Sequence, residues 1–354
     1  MNKEVFMTQQ RTTSEEEQQA IQQQAGKLVS QVAGYVGVRT MEIGLRFGLL
    51  DEISKHPQGI AAEVLARQKD LAPFYVEVWC RSAYASELLE LGENRTYRLA
   101  PYMDRLLLDQ DFPGYIGAIP TQIVQPEIFD LFAEKLPTGE QIWYDQLRPS
   151  YIQMISQTTR SFYTRLIPGG LSQVPGLSDK LSQRARILEL ACGAGVGLVR
   201  LAQTFPKSTI VGVDGDAYSL EMARKELDQE ELQDRVSLVL STLEELDGSR
   251  EYDAVLINAS MHECRDIDKV TNNVRNALNP GGHFVISDFP FPESIEECRT
   301  APARVMCGIQ FVEALIGDQL LPTRAYIDLL RKQSFHNVGA FELTPVHAVI
   351  YGQK

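Results

Sequence analysis

Long apolar runs are missing from this chain. Its longest hydrophobic stretches are strand-length, well short of the roughly 20 apolar residues that a membrane-spanning helix needs. The N-terminus, Met1-Asn2-Lys3-Glu4, leads into a Gln/Glu-rich segment instead of the apolar core of a secretory signal, so a cytoplasmic location is expected. Cysteine is scarce: Cys80, Cys192, Cys264, Cys298 and Cys307 form no CxxC pair. A disulfide framework and a structural metal site are therefore not expected. Positive charge is also short, with 34 Lys and Arg against 47 Asp and Glu, a net charge of −13, and no basic cluster. Such a surface repels a phosphate backbone over most of its area, which points to a small molecule and away from nucleic acid as partner.

What is present divides the chain into three stretches. In residues 1–101, Ser14-Glu15-Glu16-Glu17 has the form of a capping box, and Ile21, Ala25, Leu28, Val32 and Val36 follow at helical spacing. Little precedes this helix to cover its apolar stripe, so a partner chain, hence a homodimer through the N-terminal domain, is expected. A short helix over Gly59–Ala66, a longer one over Leu71–Leu91 with Phe74, Val78, Ala85 and Leu88 inward, and a strand at Thr96–Leu99 read as a winged helix. Its candidate recognition helix carries Glu77, Glu87 and Glu90 against Arg81 alone, which argues against DNA binding. Residues 102–180 read as a helical, aromatic linker and pocket region. Trp143, Tyr151 and Met154, with Met306 and Phe311 further on, are candidates to line a substrate cavity. From residue 181 to 354 strands and helices alternate, with strands at 187–190, 209–213, 236–240, 252–257, 282–287, 339–343 and 346–351. That alternation implies an α/β fold: a doubly wound, mostly parallel seven-stranded Rossmann-like sheet.

The first of those strands ends in Glu189 and opens into Ala191-Cys192-Gly193-Ala194-Gly195-Val196-Gly197. Side chains this small let a ligand approach the backbone. Leu198 stands where a dinucleotide fingerprint requires its third glycine, and Glu189 would repel a diphosphate. The carboxylate instead suits a cofactor with an ammonium group and a cationic sulfur. The second strand ends in Asp214, able to accept hydrogen bonds from both hydroxyls of a ribose. Beyond the fourth strand lies His262, and the fifth strand ends in Asp288. In an open α/β sheet both emerge at the rim where ligands bind, and a histidine oriented by an acid is a general-base pair.

These residues resemble the class I S-adenosylmethionine-dependent methyltransferases. Within them the chain is similar to the small-molecule O-methyltransferases with an N-terminal winged-helix dimerisation domain. The resemblance rests on Tyr97–Pro101, Glu189 to Gly195, Asp214, Met261-His262, and Leu278-Asn279-Pro280-Gly281-Gly282 before Asp288. It implies that S-adenosyl-L-methionine is lined by Glu189, Cys192, Gly193, Gly195, Asp214, Gly215 and Asn258, with Thr242 and Leu243 beside the adenine. It also implies that His262 deprotonates a substrate hydroxyl and that Asp288 steers its ring. The chain departs from the family at His262-Glu263-Cys264, where His-Asp-Trp is usual, at Asn258, where lysine is common, and at Leu320–Thr323, where plant members carry a second acid. The expected activity is O-methylation of a small, largely apolar metabolite in secondary metabolism. Methylation at carbon, or decarboxylation, hydroxylation or cyclisation on the same fold, are the alternatives.

Overall fold

The computed structural model describes residues 14–123, 125–142, 159–246 and 251–354. The chain forms two compact units, Met1–Asp104 and Arg105–Lys354. The first holds helices α1 (Glu15–Arg46), α2 (Leu49–Ser54), α3 (Ala62–Gln68) and α4 (Pro73–Ala85), and strands β1 (Ile60–Ala61), β2 (Leu89–Leu91) and β3 (Thr96–Leu99). The Ser14 side chain caps α1 by accepting from the Glu17 N–H at 3.2 Å, as the sequence suggests. Only the C-terminal part of α1 is packed within its unit: Thr40 and Gly44 are buried, and the Trp79 indole donates to the Thr40 carbonyl at 3.0 Å. The apolar stripe ahead of it points outward, with Leu28 62% and Val32 65% exposed.

Two details differ from the sequence reading. Ile60 does not begin a helix; it pairs with Tyr97, so β1 joins the β2–β3 hairpin as a third strand. Pro73 occupies the first turn of α4, and the face the helix turns to its neighbours buries Val76, Trp79, Cys80 and Ala83. Phe74 and Val78 face outward at 73% and 49% exposure, Ala85 is also exposed, and of the four residues expected inside only Leu88 is buried. The helix stops at Ala85, since Glu87 takes a positive φ, and Leu89–Leu91 continues as strand.

The second unit is built on a seven-stranded sheet of β4 (Arg186–Leu190), β5 (Thr209–Asp214), β6 (Val236–Leu240), β7 (Tyr252–Asn258), β8 (Leu278–Asp288), β9 (His336–Thr344) and β10 (His347–Gln353). Its order is β6-β5-β4-β7-β8-β10-β9. β4 to β8 run parallel, and β10 lies antiparallel to both its neighbours. The fold class expected from the sequence is thus present. β8 is longer than expected, since it runs through Asn279-Pro280-Gly281-Gly282 with Gly281 at φ 75° absorbing the bend.

Both faces of this sheet are covered, so its central strands are nearly continuous apolar runs. Ile187, Leu256 and Val285 pack on one face with Tyr163, Leu166 and Leu198. Leu188, Val255 and Ile286 pack on the other with Val274, Tyr326 and Leu330. Side chains alternate between faces along a strand. Adjacent polar residues at the strand ends, such as Ser287 and Asp288, are therefore sent to opposite sides of the sheet. Chain order reverses between β4 and β7, and that switch point, beyond the strands' carboxyl ends, is where such sheets bind ligands.

Candidate active site

A cavity of about 840 Å³ lies at this switch point, with Tyr163, Gly193, Asp214, Asn258, Glu263 and Asp318 among its lining residues. Its floor is made where strands end abruptly. Ala191 after β4 and Ala259 after β7 both adopt positive φ, 49° and 52°. Positive φ is unfavourable for a residue with a Cβ, and strain of this kind gathers at ligand sites. Gly195, at φ 85°, starts the helix Val196–Thr204, and a Cβ there would press on Ala223.

Glu189 lies within β4 and is 1% exposed. Gly197 makes room for it: a Cβ on Gly197 would overlap the Glu189 carboxylate and the Tyr163 ring. Among the described residues no donor completes a hydrogen bond of good geometry to either carboxylate oxygen. Burial pushes its pKa up to about 8, the neighbouring Tyr163 hydroxyl opposes the rise, and the charge of Asp214 adds to it. A buried acid left without donors is costly unless a cation or a proton compensates it.

Asp214 ends β5. Its Oδ2 accepts from the Gly193 N–H at 2.7 Å and its Oδ1 from the Asp216 N–H at 2.8 Å. Burial raises its pKa despite these bonds. It therefore fixes the glycine loop to the end of β5 while lining the cavity. Cys192, Gly193, Gly215 and Asn258 line the cavity too. Gly195 acts one step back, as the helix start. Thr242 precedes the 3-10 turn Leu243–Glu245, and Leu243 packs against the core; among the described residues neither forms part of the cavity wall.

His262 lies in the 3-10 turn Met261–Glu263 after β7, and its side chain is 1% exposed; neither it nor Asp288 is among the residues that line the cavity. Its Nδ1 lies 3.0 Å from both oxygens of Asp288. Asp288 also accepts from the Tyr326 hydroxyl at 2.7 Å and the Phe289 N–H at 2.8 Å. A carboxylate held by these donors accepts, so Nδ1 carries a proton; Nε2 is protonated too when the ring is charged and is an acceptor only in the neutral ring. Leu320–Thr323 offers no carboxylate, but a second acid lies beside the ring. Glu313, on the helix Ala301–Ile316, places Oε2 3.5 Å from Nε2, the separation of an ion pair and not of a hydrogen bond. Burial pulls the imidazole pKa down, but Asp288 and Glu313 outweigh it and hold it well above 6.5. Beside it, Glu263 forms part of the cavity wall, and burial pushes its carboxyl up to about 8 against the pull of His262.

Other sequence expectations fare differently. Met306 is buried in an apolar cluster with Phe162, Phe289 and Ile309, and Phe311 packs on Phe129 and Phe132. Both serve as packing residues, because the apolar face of their helix turns onto neighbouring helices. Trp143, Tyr151 and Met154 lie outside the described residues. Sequence reasoning missed Tyr163, Tyr326 and Glu313. Glu313 had a signal: it is the lone carboxylate in the otherwise mostly apolar helix Ala301–Ile316.

Comparison with known proteins accords with this geometry. Residues 181–338 match the methyltransferase domain family. The malonyl-[acyl-carrier protein] O-methyltransferase of Priestia megaterium is 32% identical over 181 residues, spanning 45% of this chain and 64% of that protein. The chain thus covers a little under two thirds of that relative's length. An O-methyltransferase family protein from Burkholderia thailandensis has the same fold, with a TM-score of 0.68 at 18% identity, covering 93% of this chain and 98% of that one. Human N-acetylserotonin methyltransferase, solved with S-adenosylmethionine, matches with a TM-score of 0.70 at 14% identity over 94% of this chain and 98% of its own. Among the described residues no helix is long and apolar enough to cross a membrane.

Proposed function

We propose that this chain, whose residues 181–338 match the methyltransferase domain family, is an S-adenosylmethionine-dependent methyltransferase that methylates a hydroxyl of a small, largely apolar metabolite. The observation that carries the reading is the buried Glu189 carboxylate, to which no donor among the described residues completes a hydrogen bond of good geometry, one strand away from Asp214. This pair fits the cofactor: Glu189 would hold its ammonium group, Asp214 its ribose diol, and the loop through Gly195 would admit its backbone-close middle. When bound, the cofactor supplies a methyl group on a cationic sulfur.

The chain's own contribution is proton control and exclusion of water. Asp288 fixes the Nδ1–H of His262 and leaves Nε2 to take the hydroxyl proton of the substrate. Glu313 beside Nε2 stabilises the imidazolium that forms. Burial of this cluster keeps water out, which strengthens both interactions. The test is incubation of the full chain with isotope-labelled S-adenosylmethionine and a panel of hydroxylated aromatic and aliphatic compounds, read by mass spectrometry. Label on oxygen is the expected result; label on carbon, or conversion without label, would replace the O-methylation reading.

The imidazole pKa gives a pH dependence. Burial lowers it, but Asp288 and Glu313 together hold it above its ordinary value. A base works in its neutral form, which is the form above its pKa. Turnover is therefore expected to climb with pH beyond neutrality instead of levelling near 6.5. Glu313→Gln removes one of the two raising charges, so its rising limb should lie at lower pH than that of the unmodified protein. An unmoved limb would dissociate Glu313 from the base.

The outward stripe of α1, with Ile21 56%, Leu28 62% and Val32 65% exposed, supports a homodimer through the N-terminal unit, since such a stripe is usually covered in a soluble protein. Leu28→Asp combined with Val32→Asp should give a monomer by light scattering. A persisting dimer would place the interface elsewhere.

A further inference from the structure

A second polar network crosses the sheet on the face opposite Asp288, and the reaction as described makes no use of it. It begins at Arg165, 8% exposed and packed over the Phe162 ring. The Arg165 Nε–H donates to His347 Nδ1 at 3.0 Å, and its other nitrogens donate to Ser161 Oγ at 3.3 Å and the Pro113 carbonyl at 3.4 Å. His347 Nε2 lies 2.7 Å from Ser287 Oγ. Ser287 Oγ in turn lies 2.6 Å from Asn258 Oδ1. His347 and Ser287 are fully buried, and Asn258 is 3% exposed at the cavity wall.

The direction of every bond in this chain is fixed by its first member. A guanidinium can only donate, so His347 Nδ1 must accept, and the ring carries its proton on Nε2. Burial, with the charge of Arg165, keeps that ring neutral. Its Nε2–H then donates to Ser287 Oγ. The serine has one proton and must give it to the next group. That group has to be an acceptor, so it is Asn258 Oδ1 that faces Ser287. The amide orientation, ordinarily a matter of inference from neighbours, is thus dictated by a positive charge three residues away along the network. Its consequence is that Asn258 turns its NH2 group away from the network. Among the described residues that Nδ2 has no acceptor, although buried donors in folded proteins are nearly always paired.

We propose that the Asn258 amide N–H is the donor for the carboxylate at the amino-acid end of S-adenosylmethionine, and that Arg165, His347 and Ser287 are positioning residues that hold it in that orientation. The inference rests on the cofactor reading above. Strand order selects this end of the cofactor. Asp214, on β5, is the residue for the ribose. Glu189, on the adjacent β4, is the residue for the ammonium group. β7 is the next strand, and there Asn258 stands in line with the loop that follows β4. A carboxylate acceptor beside the ammonium is what the third position requires.

The test is isothermal titration of the full chain with two ligands. S-adenosylhomocysteine keeps the amino-acid end, and 5′-methylthioadenosine lacks it. Binding of S-adenosylhomocysteine to the unmodified protein checks the cofactor reading separately; its absence would sink that reading before any variant is made. With that binding in hand, Asn258→Leu should weaken S-adenosylhomocysteine about tenfold, as loss of a hydrogen bond to a charged group implies, and leave 5′-methylthioadenosine within about twofold. Ser287→Ala frees the amide to flip and should give the same selective loss at about threefold, and Ser287→Thr, which restores the hydroxyl, should recover it. Ser287→Ala carries the test alone if Asn258→Leu fails to fold. Equal weakening of the two ligands, or no weakening of either, would overturn the assignment and make Asn258 a structural amide.

Discussion

His262→Ala is expected to lower kcat by about 10²–10⁴-fold, the usual contribution of a positioned general base, while S-adenosylhomocysteine affinity stays within about twofold. The split follows from where the ring sits. Its Nδ1 is held 3.0 Å from Asp288 and its Nε2 faces Glu313, so neither nitrogen is engaged with the glycine loop. On the proposed reading, loss of the ring removes the proton acceptor and leaves Glu189, Gly193 and Asp214, the residues proposed to hold the cofactor, in place. Asp288 keeps two hydrogen-bond donors in the variant, the Tyr326 hydroxyl and the Phe289 N–H. Methyl transfer to a series of phenols checks the result in a second way. The deficit should shrink as the substrate becomes more acidic, because a phenol that ionises unaided needs no base. An equal deficit across the series would mean that His262 orders the site without taking a proton.

Asp214→Ala should weaken S-adenosylmethionine and S-adenosylhomocysteine binding about 100-fold or more. Each hydrogen bond to a charged acceptor contributes about 1.5–3 kcal/mol, and this carboxylate would serve both ribose hydroxyls. It also accepts from Gly193 and Asp216 in the protein itself, so its removal releases the loop that the cofactor lies against. Asp214→Asn keeps one acceptor oxygen and should fall between the two proteins. Titration calorimetry measures all three, and thermal unfolding separates lost binding from lost folding. Undiminished affinity in Asp214→Ala would remove β5 from the cofactor site.

Sequence and structure agree most closely at the glycine loop. Ala191 to Gly197 is read from local chemistry: small residues where a backbone must turn at positive φ or pass close to a neighbour. Such demands are met within a few residues, so they are visible in the chain as written. The same holds for the strands, whose apolar runs announce burial on both faces. The α4 stripe was misread because Phe74 and Val78 are apolar yet face outward, and the phase of a helix depends on what it packs against. The acids around His262 show the limit differently. Asp288 was legible because strand ends in this fold converge on one rim. Glu313 was not, because it lies 51 residues further along the chain on a helix whose approach is a matter of tertiary packing.

By itself, then, the sequence determined the doubly wound sheet, the residues at its carboxyl rim and the kind of cofactor they suit, because periodicity and small-residue spacing are local properties. Only the tertiary structure decided that Glu189 is buried beside Tyr163, that a second acid faces His262 and that Arg165 sets the orientation of Asn258. Each of these depends on groups far apart in the chain being excluded from water together, and the strength of charges and hydrogen bonds is set by that exclusion.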